Sequence, residues 1–230
     1  MAKRPVFMIN NASPFFKEEL VEFKFFNGFS ESQKQKSIKS LHEAFLQDNP
    51  NKKVLEISSK SEVELGNKLS AFNVMIETKS GIKYSVETAF QSSKVFEYGG
   101  PFIDLLYKTS KEAKKDPRLK SSGKLKCFRY GSRNFELTPT TYFYNWLYIN
   151  ALHLHLDIAE QLMNYDAFTD IVFNPEKSIN CQARAAAIYV SLSKNKLLET
   201  ALKDEISFLA VVYKNHCNEN LSNTHEQIGF

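Results

Sequence analysis

Apolar residues along the chain fall into short groups separated by turn residues, and their spacing predicts an alternation of helices and short strands. The first 29 residues are aromatic, irregular and strand-like. Ser30 opens a helix, because Ser30-x-x-Gln33 has the capping-box pattern and Ile38, Leu41, Phe45 and Leu46 then share one face. Asn49-Pro50-Asn51 ends it. Strands are predicted over 54–57 and 69–78, with Gly81 turning the chain. Residues 82–86 lead into a helix over 86–97, stopped by Gly99-Gly100-Pro101. A helix and then a loop are expected in the lysine-rich stretch that follows, and a strand over 127–130. Thr138-Pro139 reads as a helix start for a helix over 139–152 that is aromatic on several sides, and therefore buried. A helix near 155–164, an extended segment over 165–173, a helix over 178–192 and a last helix over 198–214 complete the pattern. Helices outnumber strands, no repeat or linker divides the 230 residues, and the expected class is α+β in a single domain. The polar segment over 218–230 is expected to be a flexible tail.

Composition adds little that is decisive. Hydrophobic residues make up 43%, enough for one core, and most of the 19 Phe and 10 Tyr are expected to pack in it. A base-binding protein uses such rings for stacking. The net charge of +4 permits a nucleic-acid partner without requiring one. Local charge is more telling: eight Lys or Arg lie between Ser110 and Arg129 against two acidic residues. Lys114, Lys120 and Lys124 are the candidates for a phosphate track, although a solvated face has the same signature. The three scattered cysteines argue against a disulfide framework. The start MAKRPVFMINN lacks an apolar run of signal-peptide length, so a cytoplasmic protein without a membrane association is expected. No metal-ligand spacing, phosphate-binding glycine loop or Gly-x-Ser-x-Gly is present, and no cofactor is expected.

The most informative string is Val86-Glu-Thr-Ala-Phe-Gln-Ser-Ser-Lys-Val-Phe96. On a helix, Glu87, Gln91 and Lys94 fall at i, i+4 and i+7 and share a face. A carboxylate, an amide and an ammonium would converge there; a solvated polar stripe would give the same spacing. Upstream stand Ser70, Phe72 and Asn73; downstream stand the lone Trp146, the acidic residues Asp166 and Asp170, and the helix start Ser178-Ile-Asn-Cys-Gln-Ala-Arg184.

In this order and spacing, over about residues 65–195, the chain resembles the NADAR superfamily with its YbiA-like fold. It is most similar to the branch of antitoxins found beside DarT-type DNA ADP-ribosyltransferase toxins. The family pattern Val-Glu-His-x-x-Gln-x-x-Lys-Phe is matched at Val86, Glu87, Gln91 and Lys94, with Thr88 in place of the His. The Trp-Gly-x-Gly string before Asn180 is missing, so Asp166 competes with Asp170 for the acidic position. Residues 1–64 would be an N-terminal extension of the same domain.

The resemblance implies an N-glycosidase that removes ADP-ribose from guanine in DNA and so serves as antitoxin to a DarT-type toxin. Such chemistry asks for a carboxylate near the ribose C1′, where positive charge develops, and a cation or donor near the leaving base. Glu87, Asp170 and Lys94 would fill those roles, with Trp146 as an aromatic wall. ADP-ribose would be held by Ser70, Phe72, Asn73, Gln91, Asn180, Gln182 and Arg184, the last three near a helix start suited to a diphosphate. Two other readings fit the same residues: an N-glycosidase acting on a small riboflavin-pathway metabolite, and a non-catalytic antitoxin that binds ADP-ribose or the toxin.

Overall fold

The computed structural model describes residues 1–28 and 30–214; the polar segment over 218–230 lies outside them. The first half of the chain is built on a four-stranded sheet. Strands β1 (Ala2–Ile9) and β2 (Phe16–Phe23) form an antiparallel hairpin, and β3 (Val54–Glu56) enters after the helix α1 (Glu31–Asp48). The fourth strand, β9 (Ala167–Thr169), comes from far down the chain and lies between β1 and β3, giving the order β2-β1-β9-β3. It runs parallel to β3, with Glu56 opposite Thr169.

Both faces of this sheet are covered. Val6 and Met8 on β1 point with Val21 and Phe23 toward Ile38, Leu41 and Phe45 of α1. Phe7, one residue out of phase, joins Leu55, Ile57 and Phe168 in the larger core on the other face. The period of two along a strand produces this division. Burial on both sides explains why 5–8 reads as an unbroken apolar run rather than an alternation.

The larger core is organised by two helices, α6 (Tyr142–His153) and α8 (Gln182–Lys194). Ala183, Ala185, Ala186 and Ala187 are all fully buried in α8, and such small side chains allow neighbouring backbones to approach closely. In front of these helices lie the short helix α2 (Glu64–Lys68), the hairpin β4–β5 (Met75–Glu77 and Lys83–Ser85) and the helix α3 (Val86–Ser92). The second sheet, β6-β7-β8, spans Lys94–Phe96, Leu125–Tyr130 and Arg133–Phe135. Phe90 of α3 packs on Phe128 and Phe143 with ring centroids 5.4 and 6.1 Å apart. Such pairs contribute about 0.5–1.5 kcal/mol each beyond burial, so α3 is fastened to α6. The remaining helices are α4 (Ser110–Lys115), α5 (Arg118–Ser121), α7 (Leu156–Leu162), α9 (Leu198–Leu202) and α10 (Glu205–Val212), with a 3-10 turn at Ile103–Tyr107. The class is α+β, and no helix among the described residues is long and apolar enough to cross a membrane.

The structure departs from the sequence pattern in five places, one of them the last helix, expected over 198–214, which is broken at Lys203 and Asp204 into α9 and α10. The strand expected over 69–78 is confined to β4, because α2 and a turn at Ser70 precede it; the Ser70 carbonyl accepts from the N–H groups of Asn73 and Val74. The helix expected to reach residue 97 stops at Ser92. Ser92 and Ser93 both turn their hydroxyls back to the Ala89 carbonyl, and Val95 and Phe96 pair with β7 instead. The helix expected from Pro139 begins at Tyr142, because Thr141 holds a φ of 71° outside the helical region. The helix expected from Ser178 begins at Gln182, with Cys181 as the flanking residue. By contrast, Ser30 caps α1 as its pattern predicts, accepting from the Gln33 N–H.

Candidate active site

The centre of the site is the first turn of α3. The Glu87 N–H bonds the Ala71 carbonyl at 2.9 Å, which ties the start of this helix to the turn after α2. The Glu87 side chain is 5% exposed. Its Oε1 accepts from Gln91 Nε2 at 2.9 Å, and Gln91 Oε1 in turn accepts from Lys94 Nζ at 2.7 Å. The carboxylate, amide and ammonium therefore form a directed chain. Lys94 reaches it from strand β6, one residue beyond the helix C-cap, so the predicted convergence is met through a different backbone path. Gln91 can donate to one neighbour and accept from the other only in this orientation, which fixes its amide.

Burial pushes the Lys94 ammonium down to about 8, the nearby Glu87 carboxylate resists this, and Lys114 adds to it. Lys94 also stands 4.8 Å from the centre of the Phe90 ring. Lys114 reaches over from α4: its Nζ is 3.7 Å from Glu87 Oε1 and 5.3 Å from the centre of the Phe72 ring. The sequence groups it with Lys120 and Lys124, but those two side chains are exposed while Lys114 leans onto the carboxylate.

Asp170 belongs to the same neighbourhood. Burial pushes its carboxyl up to about 7, the Glu56 carboxylate pushes in the same direction, and Lys114 opposes both. Tyr144 on α6 senses both acids: burial first, then Glu87 and, more weakly, Asp170 raise its phenol above the ordinary range. Lys114 and Tyr144 are thus each within electrostatic reach of both carboxylates. Asp170 Oδ1 accepts from the N–H groups of Val172 and Phe173 at 3.0 and 3.1 Å, which fixes the side chain over its own turn. The competing acid, Asp166, faces another way, toward the Lys53 N–H at 3.0 Å and Lys194 at 3.9 Å.

Other expected residues divide between the site and the scaffold. Phe72 lies beneath Lys114. Ser70 is buried, its hydroxyl accepting from the Phe72 N–H. Asn73 turns to Asn67. Gln182 is a staple: Oε1 accepts from the Ala71 N–H at 2.7 Å and Nε2 donates to the Ile57 carbonyl at 2.6 Å. Both ends of its amide join parts of the scaffold that carry Glu87 and Glu56. Trp146 lies in the aromatic core beside Phe135, Phe143 and Tyr130. Tyr144, which feels the charge of both acids, is one ring within a helix buried on all sides.

Arg184 lies over the rings of Phe7 and Phe16, donates to the Ile179 carbonyl at 2.8 Å and pairs with Glu18 at 3.4 Å. Together with Ser178, Phe16, Thr141, Phe173 and Tyr213 it lines a cavity of about 420 Å³. Asn180 is half-buried in the segment between Ser178 and α8, its carbonyl accepting from the Ser178 hydroxyl. The cavity wall does not include Glu87 or Lys94; its nearest approach to Asp170 along the chain is Phe173, whose N–H Asp170 accepts. Among the described residues no three His, Cys, Asp or Glu side chains gather as a metal site.

Two acids that both feel the charge of Lys114, one of them paired with it at 3.7 Å, form a set of groups suited to breaking a glycosidic bond. None of the curated proteins compared with the chain matches it. A family model described as the DarT1-associated NADAR antitoxin matches residues 2–222, which takes in Glu87, Lys94, Lys114 and Asp170 together with the scaffold that holds them. The chain belongs to the NADAR family of antitoxins associated with DarT1.

Proposed function

We propose that the protein is an N-glycosidase that removes ADP-ribose from ADP-ribosylated guanine in DNA, and that this reversal is how it counters its associated toxin. The observation that carries the reading is the buried Glu87–Gln91–Lys94 chain with Asp170 and Lys114 at its side. Glu87 faces the positive charge that develops at C1′ of the ribose as the guanine departs. Lys94, whose ammonium loses its proton near pH 8, is an effective donor to the leaving guanine nitrogen. Asp170, poised near 7, takes a proton from the water that attacks C1′. Catalysts with proton affinities close to the working pH are the most effective in these roles. Activity should then follow a bell in pH, rising as Asp170 ionises near 7 and falling as Lys94 loses its proton near 8.

The cavity lined by Ser178 and Arg184, with Asn180 and the first N–H groups of α8 beside it, is a suitable receptor for the diphosphate and the remote end of ADP-ribose. The direct test is incubation of the purified protein with DNA carrying ADP-ribosylated guanine. Release of free ADP-ribose and recovery of unmodified guanine are expected; tight binding with neither product would overturn the reading in favour of a non-catalytic antitoxin.

Lys120 and Lys124 remain candidates for the DNA track. Arg118 and Lys108 in the same stretch are already paired with Asp104 and Asp116, and Lys126 with Glu97. Reversing Lys120 and Lys124 to Glu should weaken binding of modified DNA and reduce its salt slope by roughly 1.5, the counterions of two phosphate contacts. Binding of free ADP-ribose should be unchanged. An unaltered salt slope would mean that these lysines are a solvated face.

A further inference from the structure

Glu56 is a carboxylate in the middle of a buried strand. It is 2% exposed and lies on β3 directly opposite Thr169 of β9. Its Oε2 accepts from the Thr169 hydroxyl at 2.6 Å, and its Oε1 accepts from the Ile171 N–H at 2.8 Å. These two donors are the residues on either side of Asp170. The Ile57 N–H bonds the Thr169 carbonyl at 2.8 Å, fixing the same segment from the backbone. Behind Thr169, His42 Nε2 stands 2.8 Å from the same hydroxyl. Because that hydroxyl donates to Glu56, His42 carries its proton on Nε2 and donates to Thr169. Burial pushes His42 down to about 4, so the ring is neutral in this chain at ordinary pH.

A buried charge of this kind is costly and is not needed to hold two strands together. From its grip on both neighbours of Asp170 we infer that Glu56 is a positioning residue: it aims the Asp170 carboxyl by holding Thr169 and Ile171 on either side of it. This inference rests on the reading of Asp170 as the group that activates water. The groups coupled electrostatically to Asp170 include Glu56 from β3, Lys114 from α4, Tyr144 and Tyr148 from α6, and Cys181 at the start of α8. Lys114 favours the ionised form. Burial pushes the Glu56 carboxyl itself up, while hydrogen bonds from Ser58, Thr169 and the Ile171 N–H pull it back down; when charged it opposes ionisation of Asp170, as one carboxylate does to another that shares its site.

The test follows the Asp170 side-chain carbon by NMR through a pH titration, in the wild type and in Glu56→Gln, alongside the pH profile of DNA deribosylation. In the wild type Asp170 should titrate near neutrality, with the Glu56 carbon responding over the same range. In Glu56→Gln the Asp170 midpoint should fall by about one pH unit or more, and the acid limb of the activity profile should move down with it. A merely structural Glu56 would lower the rate at every pH without moving the limb. An Asp170 midpoint near 4 in the wild type, or one unmoved in the variant, would overturn the inference. Where Glu56→Gln does not fold, the wild type still tests the pair: a Glu56 carbon that does not respond as Asp170 titrates would overturn the inference. Asp170→Asn separates the two readings: if that variant retains full turnover, the role assigned to Asp170 is wrong, while the NMR midpoints still report on the Glu56–Asp170 pair.

Discussion

Glu87→Gln is expected to lower single-turnover deribosylation by about a hundredfold or more, the usual scale for a lost catalytic carboxylate, without unfolding the protein. The substitution is nearly isosteric. The side-chain oxygen that accepts from Gln91 Nε2 can be kept, and the backbone bond from residue 87 to the Ala71 carbonyl is independent of the side chain. What disappears is the charge, together with its pairing to Lys114. A second consequence distinguishes this variant from a generally damaged one. Glu87 is the group that holds the Lys94 ammonium up against burial, while Lys114 pushes it down. Without Glu87 the proton leaves Lys94 more easily, so the alkaline limb of the residual activity should move to lower pH. A variant with wild-type turnover would remove Glu87 from the mechanism. One with low turnover and an unmoved alkaline limb would break the link drawn here between Glu87 and Lys94.

The parts of this site that were legible in the sequence are those set by local spacing. Glu87 and Gln91 are one helical turn apart, and their contact follows from that alone. Lys94 was found by the same periodicity, although it arrives from β6 after two serines end the helix. What could not be read locally depends on pairing between distant segments. Glu56 and Thr169 are brought together by the parallel β3–β9 ladder, across 113 residues, and no periodic pattern encodes that register. The signal in the sequence was a single acidic residue inside the apolar run Val54-Leu-Glu-Ile57; charged residues are almost never fully buried unless paired. Tyr144 was hidden for another reason. In α6 nearly every side chain from Tyr142 to Leu152 is buried, so the pattern has no polar face to set its phase and does not distinguish Tyr144 from its aromatic neighbours. Lys114 was visible only as one charge in a basic run, since α4 had to be folded against α3 before one lysine could be told from its neighbours.

Asp170→Asn should lose activity and gain stability at the same time. On the proposed mechanism the activity loss is that of a general base acting on water, a contribution of roughly a hundredfold to ten-thousandfold. The stability gain follows from the direction of its titration. In the unfolded chain Asp170 ionises near the ordinary value of 3.8, whereas in the folded protein it holds its proton up to about 7. A group whose folded value is raised contributes its stability in full below the unfolded value and loses it as pH rises through the folded one. Between about pH 4 and pH 7 the wild type therefore gives up stability, and above pH 7 it carries a buried carboxylate beside Glu56. Asparagine has no charge to bury and keeps an oxygen for the N–H groups of Val172 and Phe173. The variant should be more stable than the wild type at pH 8 by about 1–2 kcal/mol, a figure reduced for the part of the carboxyl that reaches solvent. At pH 4 the difference should shrink to about 0.5 kcal/mol, because Asp170 is then neutral in the fold and roughly half ionised in the unfolded chain. Urea unfolding of the two proteins at pH 4 and pH 8 measures this directly. A variant that is less stable at pH 8, or equally stable at both, would show that Asp170 is ionised in the fold at little cost, and that its carboxyl is held for structure rather than kept ready to accept a proton.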